Sequence, residues 1–160
     1  MLSYIMQKEF MREAILLSLE NIQKNSGWPF AAVIVKDGKI VGRGQNEVTS
    51  TNDPTAHGEV VAIRDACKNL STFDLHDCEI YTSCEPCPMC YWAISRARIK
   101  KIYYANTEKD SADIGFDDSA FHEDIKKHFS QRNIPVEQLL HDEALEVFKQ
   151  WSEKKDKIQY

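Results

Sequence analysis

The stretch that decides the fold is CEIYTSCEPCPMCYWAISRARIKKIYYA, residues 78–105. It begins and ends with short β-rich runs, 78–83 and 101–105, and the segment from about Cys87 onward is predicted to be helical. This β-α-β order predicts parallel strands joined by a helix that packs on the sheet. Ligands of such sheets bind where strands end and the following helices begin, so Cys87 marks a candidate site.

The chain before this stretch continues the same alternation. A helix is predicted near 55–69, and a strand pair is predicted over FAAVIVKDGKIVGRGQN, residues 30–46. The pair is joined by Asp37 and Gly38, a dipeptide typical of a type I′ hairpin turn. Apolar residues at helical spacing, with one stripe formed by Phe10, Ala14 and Leu17, predict a first helix over 4–24. After the second strand run, helices are predicted near 119–129 and 141–155.

Composition and charge limit the function classes. With 160 residues, of which 42% are hydrophobic, the chain fits one domain, residues 1–160. The net charge of −5 argues against a surface that grips nucleic-acid phosphates. Charged residues recur throughout positions 1–22, unlike a signal peptide or a membrane span. We therefore expect a cytoplasmic protein with a small substrate and without a membrane or nucleic-acid partner.

Three residues can supply the ligands of a catalytic zinc ion. Such a site uses three Cys or His ligands and leaves a fourth position open for water. Cys87 and Cys90 lie one turn apart at a helix N-terminus, where free N–H groups favour thiolates. His57 lies at the start of the preceding helix, and the sheet topology directs it toward the same edge. Glu59 follows two residues later and can point at the open position.

Other interpretations of these residues stay open at this point. The Cys87–Cys90 pair could be a redox pair, and Cys84 could complete a structural site with four ligands. That structural site would leave Glu59 without a role. We expect Cys67 and Cys78 to be small buried hydrophobic residues. The remaining histidines lie in polar surroundings and are expected to be solvated: His76, His122, His128 and His141.

The segments HGE, residues 57–59, and PCPMC, residues 86–90, form the H-x-E…P-C-x-x-C signature of zinc-dependent nucleobase deaminases. The chain resembles the cytidine-deaminase-like superfamily, and within it the small guanine deaminases most of all. The resemblance extends to GFDDS, residues 115–119, and to the terminal tyrosine. It implies an α/β fold of three layers, α/β/α, with a mixed five-stranded sheet and helices on both faces. It also implies one Zn²⁺ per chain and a homodimer that exchanges the C-terminal segment, about 141–160.

The resemblance implies roles for further residues. Glu59 and Asp118 are the implied catalytic carboxylates. Asn46 is implied to bind the purine through its amide, and Phe30 is implied to stack on the purine. Tyr160 is implied to close the pocket, which in this family is often that of the partner subunit. Each has an alternative: Phe30 could be a core residue, Asp118 a helix cap, Asn46 a turn residue, and the terminal segment a solvated tail.

The sequence departs from the family pattern at Gly58, where Ala is usual, at Trp28, where Gly is usual, and at Arg96, which replaces an aromatic residue. These positions put the identity of the substrate in question. Gly58 lies between His57, a predicted zinc ligand, and Glu59, the predicted proton acceptor. The absence of the alanine methyl group could therefore admit a larger or differently placed substrate.

The sequence therefore predicts a zinc-dependent aminohydrolase that converts guanine into xanthine and ammonia. A guanosine deaminase and a tRNA adenosine deaminase are the alternative enzymes, although the C-terminal helix mixes both charges and is not strongly basic. An interaction module stabilised by zinc is the alternative without catalysis.

Overall fold

The computed structural model describes the backbone of residues 2–158 and the side chains of residues 4–158. Over these residues the elements are, in chain order, α1 (Leu2–Gln23), β1 (Ala31–Lys36), β2 (Lys39–Gln45), α2 (Val48–Thr51), α3 (Gly58–Leu70), β3 (Glu79–Cys84), α4 (Pro88–Arg96), β4 (Lys101–Asn106), α5 (Glu108–Asp113), α6 (Ser119–Ile125), a 3₁₀ helix (Phe129–Gln131) and α7 (His141–Glu153).

The strands form one mixed sheet in the order β2-β1-β3-β4. Strand β1 is antiparallel to both β2 and β3, whereas β3 and β4 are parallel. Because β1 is antiparallel to both neighbours, β2, β3 and β4 all run in the same direction. Their C-terminal ends therefore lie at one edge of the sheet, where the starts of α3 and α4 follow β2 and β3.

The hairpin between β1 and β2 confirms the predicted turn. Asp37 has a φ of 49° and Gly38 a φ of 72°. Two successive residues with positive φ are the requirement of a type I′ turn, whose twist matches that of the flanking strands.

The prediction of five strands is wrong for the described residues, which form four. Helix α5 begins almost directly after β4, because Thr107 and Asp110 form a capping box. The backbone N–H of Thr107 donates to Asp110 Oδ2 at 2.8 Å, and the backbone N–H of Asp110 donates to Thr107 Oγ1 at 3.2 Å. The apolar run at 134–140 also forms no strand and stays exposed.

Helices cover both faces of the sheet, because successive residues of β1 point to opposite sides. One side of the sheet packs against the predicted stripe of α1, which consists of Phe10, Ala14 and Leu17. The sheet residues in this contact are Val33, Val35 and Tyr81. Ile15 and Ile22, which neighbour the stripe, are exposed. On the other side the core unites β1 and β3 with α3 and α4 through Ala32, Ile34, Ile80, Ala62, Ala66 and Ile94.

The chain divides into two compact units, Met1–Phe121 and His122–Tyr160. The first unit contains the whole sheet. In the second unit, no residue of 122–158 is buried. No helix of the described part of the chain is long and apolar enough to cross a membrane.

Candidate active site

The three predicted zinc ligands lie together at the edge where β2, β3 and β4 end. His57 is the N-cap residue of α3 and Cys87 that of α4, and Cys90 lies in the first turn of α4. His57 Nδ1 lies 3.7 Å from Cys87 Sγ and 3.5 Å from Cys90 Sγ. The ligand atoms all lie within 4.8 Å of one another.

This donor set fits zinc. Two thiolate sulfurs and one imidazole nitrogen are the ligands that zinc prefers, and three protein ligands leave a position for water. His57 contacts both thiols, which a simple redox pair of cysteines does not require.

The protonation of the cluster favours metal binding. Hydrogen bonds from Cys90 and from His57 lower the pKa of Cys87 to about 4 although the residue is partly buried. The Cys87 thiolate in turn raises the pKa of His57. The hydrogen bond with Cys87 is the main reason that the pKa of the Cys90 thiol is raised, and burial is the second reason. A negative charge is therefore already centred on Cys87 at neutral pH, where a cation would bind.

Cys84 is not in this cluster of described ligand residues. Its Sγ lies 3.6 Å from the carbonyl oxygen of Thr107, and burial raises the pKa of the thiol to about 11. A thiol that lies outside the cluster and bonds elsewhere argues against a fourth ligand.

Glu59 lies beside the cluster, and its side chain is only 6% exposed. Its Oε2 accepts a hydrogen bond from Cys90 Sγ at 3.4 Å, and Thr82 Oγ1 donates to its Oε1 at 3.3 Å. Burial raises the pKa of Glu59, because the charged form loses its hydration. A carboxyl group with a raised pKa, next to a candidate metal site, is suited to accept and return protons.

Close packing explains why a glycine stands at position 58. A Cβ atom at Gly58 would lie 2.8 Å from Ala31 Cα, and a Cβ atom at Gly44 would lie 2.1 Å from the carbonyl oxygen of Gly58. The first turn of α3 therefore packs directly on the backbones of β1 and β2, which fixes His57 and Glu59 at the sheet edge. Gly58 is not among the described residues that line the adjacent cavity.

A cavity of about 360 Å³ opens next to the cluster, and Phe30, Asn46 and Asp118 are among the residues that line it. Asn46 is 1% exposed, and its Oδ1 accepts the backbone N–H of Val48 at 3.3 Å. Its Nδ2 is buried without a partner among the described residues. Asp118 contributes a negative charge that raises the pKa of His57. Tyr160 lies outside the described residues.

Several residues of the cavity wall were not assigned from the sequence: Trp28, Glu85, Ser111, Phe116, Asp117 and Phe121. Phe116 and Asp117 belong to the quoted GFDDS segment, which was the only signal for them. Ser111 lies in a polar stretch for which no element was predicted, and Phe121 lies in the helix predicted near 119–129, so neither position indicated a cavity wall.

The site can be compared with known proteins. A family model described as the cytidine and deoxycytidylate deaminase zinc-binding region matches residues 5–106. The guanine deaminase of Bacillus subtilis (strain 168) is 49% identical over 151 residues, which cover 94% of this chain and 97% of that protein. The X-ray structure of guanine deaminase from Bacillus subtilis superposes with a TM-score of 0.92 at 48% identity, covering 96% of this chain and 98% of that chain.

Two further similarities cover less of the chain. A crystal structure of a protein variant in complex with 8-azaguanine has a TM-score of 0.67 at 33% identity, covering 70% of this chain and 65% of that chain. The tRNA-specific adenosine deaminase of Aquifex aeolicus (strain VF5) is 38% identical over 104 residues, covering 65% of this chain and 69% of that protein. Since the family model matches more than half of the residues, the chain belongs to the family defined by the cytidine and deoxycytidylate deaminase zinc-binding region.

Proposed function

We propose that this protein is a zinc-dependent guanine deaminase, which converts guanine and water into xanthine and ammonia. The observation that carries the proposal is the buried Glu59 carboxyl group, which lies between a three-ligand cluster and a cavity of the size of a small ligand. The near full-length similarity to the guanine deaminase of Bacillus subtilis supports guanine as the substrate.

His57, Cys87 and Cys90 would hold one zinc ion per chain. When bound, zinc lowers the pKa of water at its open position to about 7. The N-terminus of α4 holds the two thiols in place, and the packing of Gly58 on β1 fixes the backbone next to His57.

Glu59 would carry the protons of the reaction. It accepts a proton from the attacking water and delivers it to N3 of guanine as the water oxygen bonds to C2. It then takes the proton of the hydroxyl group on C2 and passes it to the amino group, so that the C2=O bond forms, the C2–N bond breaks and ammonia leaves. The hydrogen bond from Thr82 holds the carboxyl group in reach of this position. Asp118, at the cavity wall, would share the second transfer.

Asn46 and Phe30 would recognise the base. The Nδ2 group of Asn46 is a buried donor without a partner among residues 4–158, so an acceptor atom on the purine would satisfy it. The Oδ1 of Asn46 is bonded to Val48, which fixes the direction of the amide. The ring of Phe30 lines the same cavity and can stack on the planar base.

The C-terminal segment would complete the site in a homodimer. Exchange of about residues 141–160 would bring Tyr160 to the neighbouring subunit's pocket, where its ring excludes water. This arrangement is supported by large apolar side chains that are exposed in α7 and in the segment after it. Phe148 is 72% exposed, Trp151 is 52% exposed and Ile158 is 76% exposed. A role in purine metabolism follows from the proposed reaction, and free thiols at the described cysteines are typical of the cytoplasm, where we place the protein.

The experiment is a steady-state assay of ammonia release from guanine, guanosine, adenine, cytosine and tRNA by the zinc-loaded protein. We expect the highest kcat/KM for guanine. Preference for guanosine would favour the nucleoside deaminase, and activity on tRNA alone would favour the tRNA adenosine deaminase. A zinc-containing protein that is inactive on all five would favour the interaction module.

A further inference from the structure

Trp28 forms one end of an aromatic wall in the cavity. It lies in the segment between α1 and β1, and its side chain is partly exposed at the cavity wall. The ring centroid of Trp28 lies 5.1 Å from that of Phe116, and the centroid of Phe116 lies 5.0 Å from that of Phe30 in an edge-to-face arrangement. Both distances are in the range at which aromatic rings attract one another.

The backbone of Trp28 is held by a buried asparagine on α1. Asn21 is 1% exposed, and its Nδ2 donates to the carbonyl oxygens of Trp28 at 2.8 Å and of Asn46 at 2.9 Å. The N–H of Phe30 donates to the same Trp28 carbonyl at 2.8 Å. A Cβ atom at Gly27 would lie 1.9 Å from the Asn46 carbonyl oxygen, so this segment packs tightly on the end of β2.

The backbone of Phe116, whose ring packs against Trp28, is also held by hydrogen bonds. The N–H of Phe116 donates to the carbonyl oxygen of Ser111 at 3.0 Å, and Ser111 Oγ donates to the carbonyl oxygen of Phe116 at 3.1 Å. Gly115, with a φ of 98°, makes the turn that brings Phe116 back to Ser111. The backbone of Trp28 is therefore fixed, and its indole can rotate away from the wall only with the loss of the ring contact with Phe116.

An indole at this wall limits how large a ligand the cavity accepts. At about 360 Å³ the cavity lies near the lower limit of small-molecule sites. A purine base is flat, whereas its nucleoside adds a non-planar ribose that needs more room. We propose that Trp28 is a specificity-determining residue that makes this cavity selective for the free purine base over the nucleoside. The inference rests on the proposed function.

The test compares Trp28→Gly with Trp28→Phe, which keeps an aromatic ring at the wall. The measured quantities are kcat/KM for guanine and guanosine, and the inhibition constant of guanosine against guanine deamination. In Trp28→Gly we expect the guanosine-to-guanine ratio of kcat/KM to rise by about tenfold or more and the inhibition constant of guanosine to fall. Trp28→Phe should stay within about threefold of the wild type in both.

If Trp28→Gly does not fold, Phe116→Leu gives a second route, because it removes the ring that supports the indole but keeps an apolar side chain. It should shift the ratio in the same direction by a smaller factor. An unchanged ratio in the folded variants, or a wild type that prefers guanosine, would overturn the role of Trp28. A wild type that does not deaminate guanine would overturn the proposed function itself.

Discussion

The edge of the sheet and the segment 122–158 use apolar and polar residues in opposite ways. At the edge, polar groups are buried: Asn46 is 1% exposed and Glu59 is 6% exposed. In the segment 122–158 the apolar groups are exposed, with Ile134 at 77% and Phe148 at 72%. Polar groups that lose their hydration need partners, and large apolar groups in water gain from coverage. The edge is therefore organised for a ligand, and the exposed apolar groups of the C-terminal segment support the proposed contact with another protein surface.

The two regions also differ in the contacts that stabilise them. The edge is fixed by strands, by the N-termini of two helices and by hydrogen bonds from the buried Asn21 of α1. In α7, Leu145 and Phe148 are three residues apart and share a face, and both are exposed. The proposed homodimer would cover this face.

The largest effect is expected from loss of a zinc ligand. Cys87→Ser should lose its zinc and reduce kcat by about a thousandfold or more, because the metal supplies several kcal/mol of stabilisation to such reactions. Zinc content by elemental analysis and ammonia release measure the two effects. The matched control is Cys84→Ser, which should keep its zinc. If Cys84→Ser loses zinc as completely as Cys87→Ser, the site is a structural one with four ligands.

Asn46→Ala should lower kcat/KM for guanine by about tenfold to a hundredfold while zinc content and fold are kept. The reason is the loss of a buried donor, which leaves the purine acceptor unsatisfied at a cost of about 1–3 kcal/mol. Kinetics and thermal unfolding, measured on the same preparations, separate binding from folding. A lower melting temperature with unchanged kinetics would make Asn46 a turn residue only.

Deletion of residues 156–160 should lower kcat/KM for guanine by about tenfold, since the proposed lid would no longer exclude water. Zinc content should not change, because the ligands belong to the edge. A truncated protein with full kcat/KM would contradict the role of Tyr160.

The smallest effect is expected from Phe148→Ala, which should weaken the dimer by a few-fold to about tenfold, as loss of a buried aromatic contact at an interface does. Sedimentation over a range of concentrations measures this, and Lys149→Ala is the control on the same helix. A wild type that sediments as a monomer, or two variants that behave alike, would show that this face is not the interface.

Much of the fold could be predicted because local signals and periodicity agreed. The Asp37–Gly38 turn, the stripe of Phe10, Ala14 and Leu17, and the alternation of strands and helices all have counterparts in the structure. The number of strands was wrong, because it came from a resemblance and not from the residues after Asn106, where the Thr107 capping box begins a helix.

The candidate site could be predicted only in part. The spacing of His57, Cys87 and Cys90 indicated their convergence, because helix starts at one sheet edge are close in space. The hydrogen bonds of Asn21 with Trp28 and Asn46 join residues that are distant in sequence, and no local pattern announces them. The packing of Gly58 on Ala31 likewise depends on the distance between a helix and a strand.

The most direct test of the account is a comparison of the wild type with Glu59→Gln, with zinc content and kcat for guanine measured on the same samples. Glutamine keeps the size of the side chain but cannot accept and return a proton. The account predicts one zinc per chain in both proteins and a kcat that falls by about a hundredfold or more in the variant. A folded, zinc-loaded Glu59→Gln protein with a kcat near that of the wild type would contradict it.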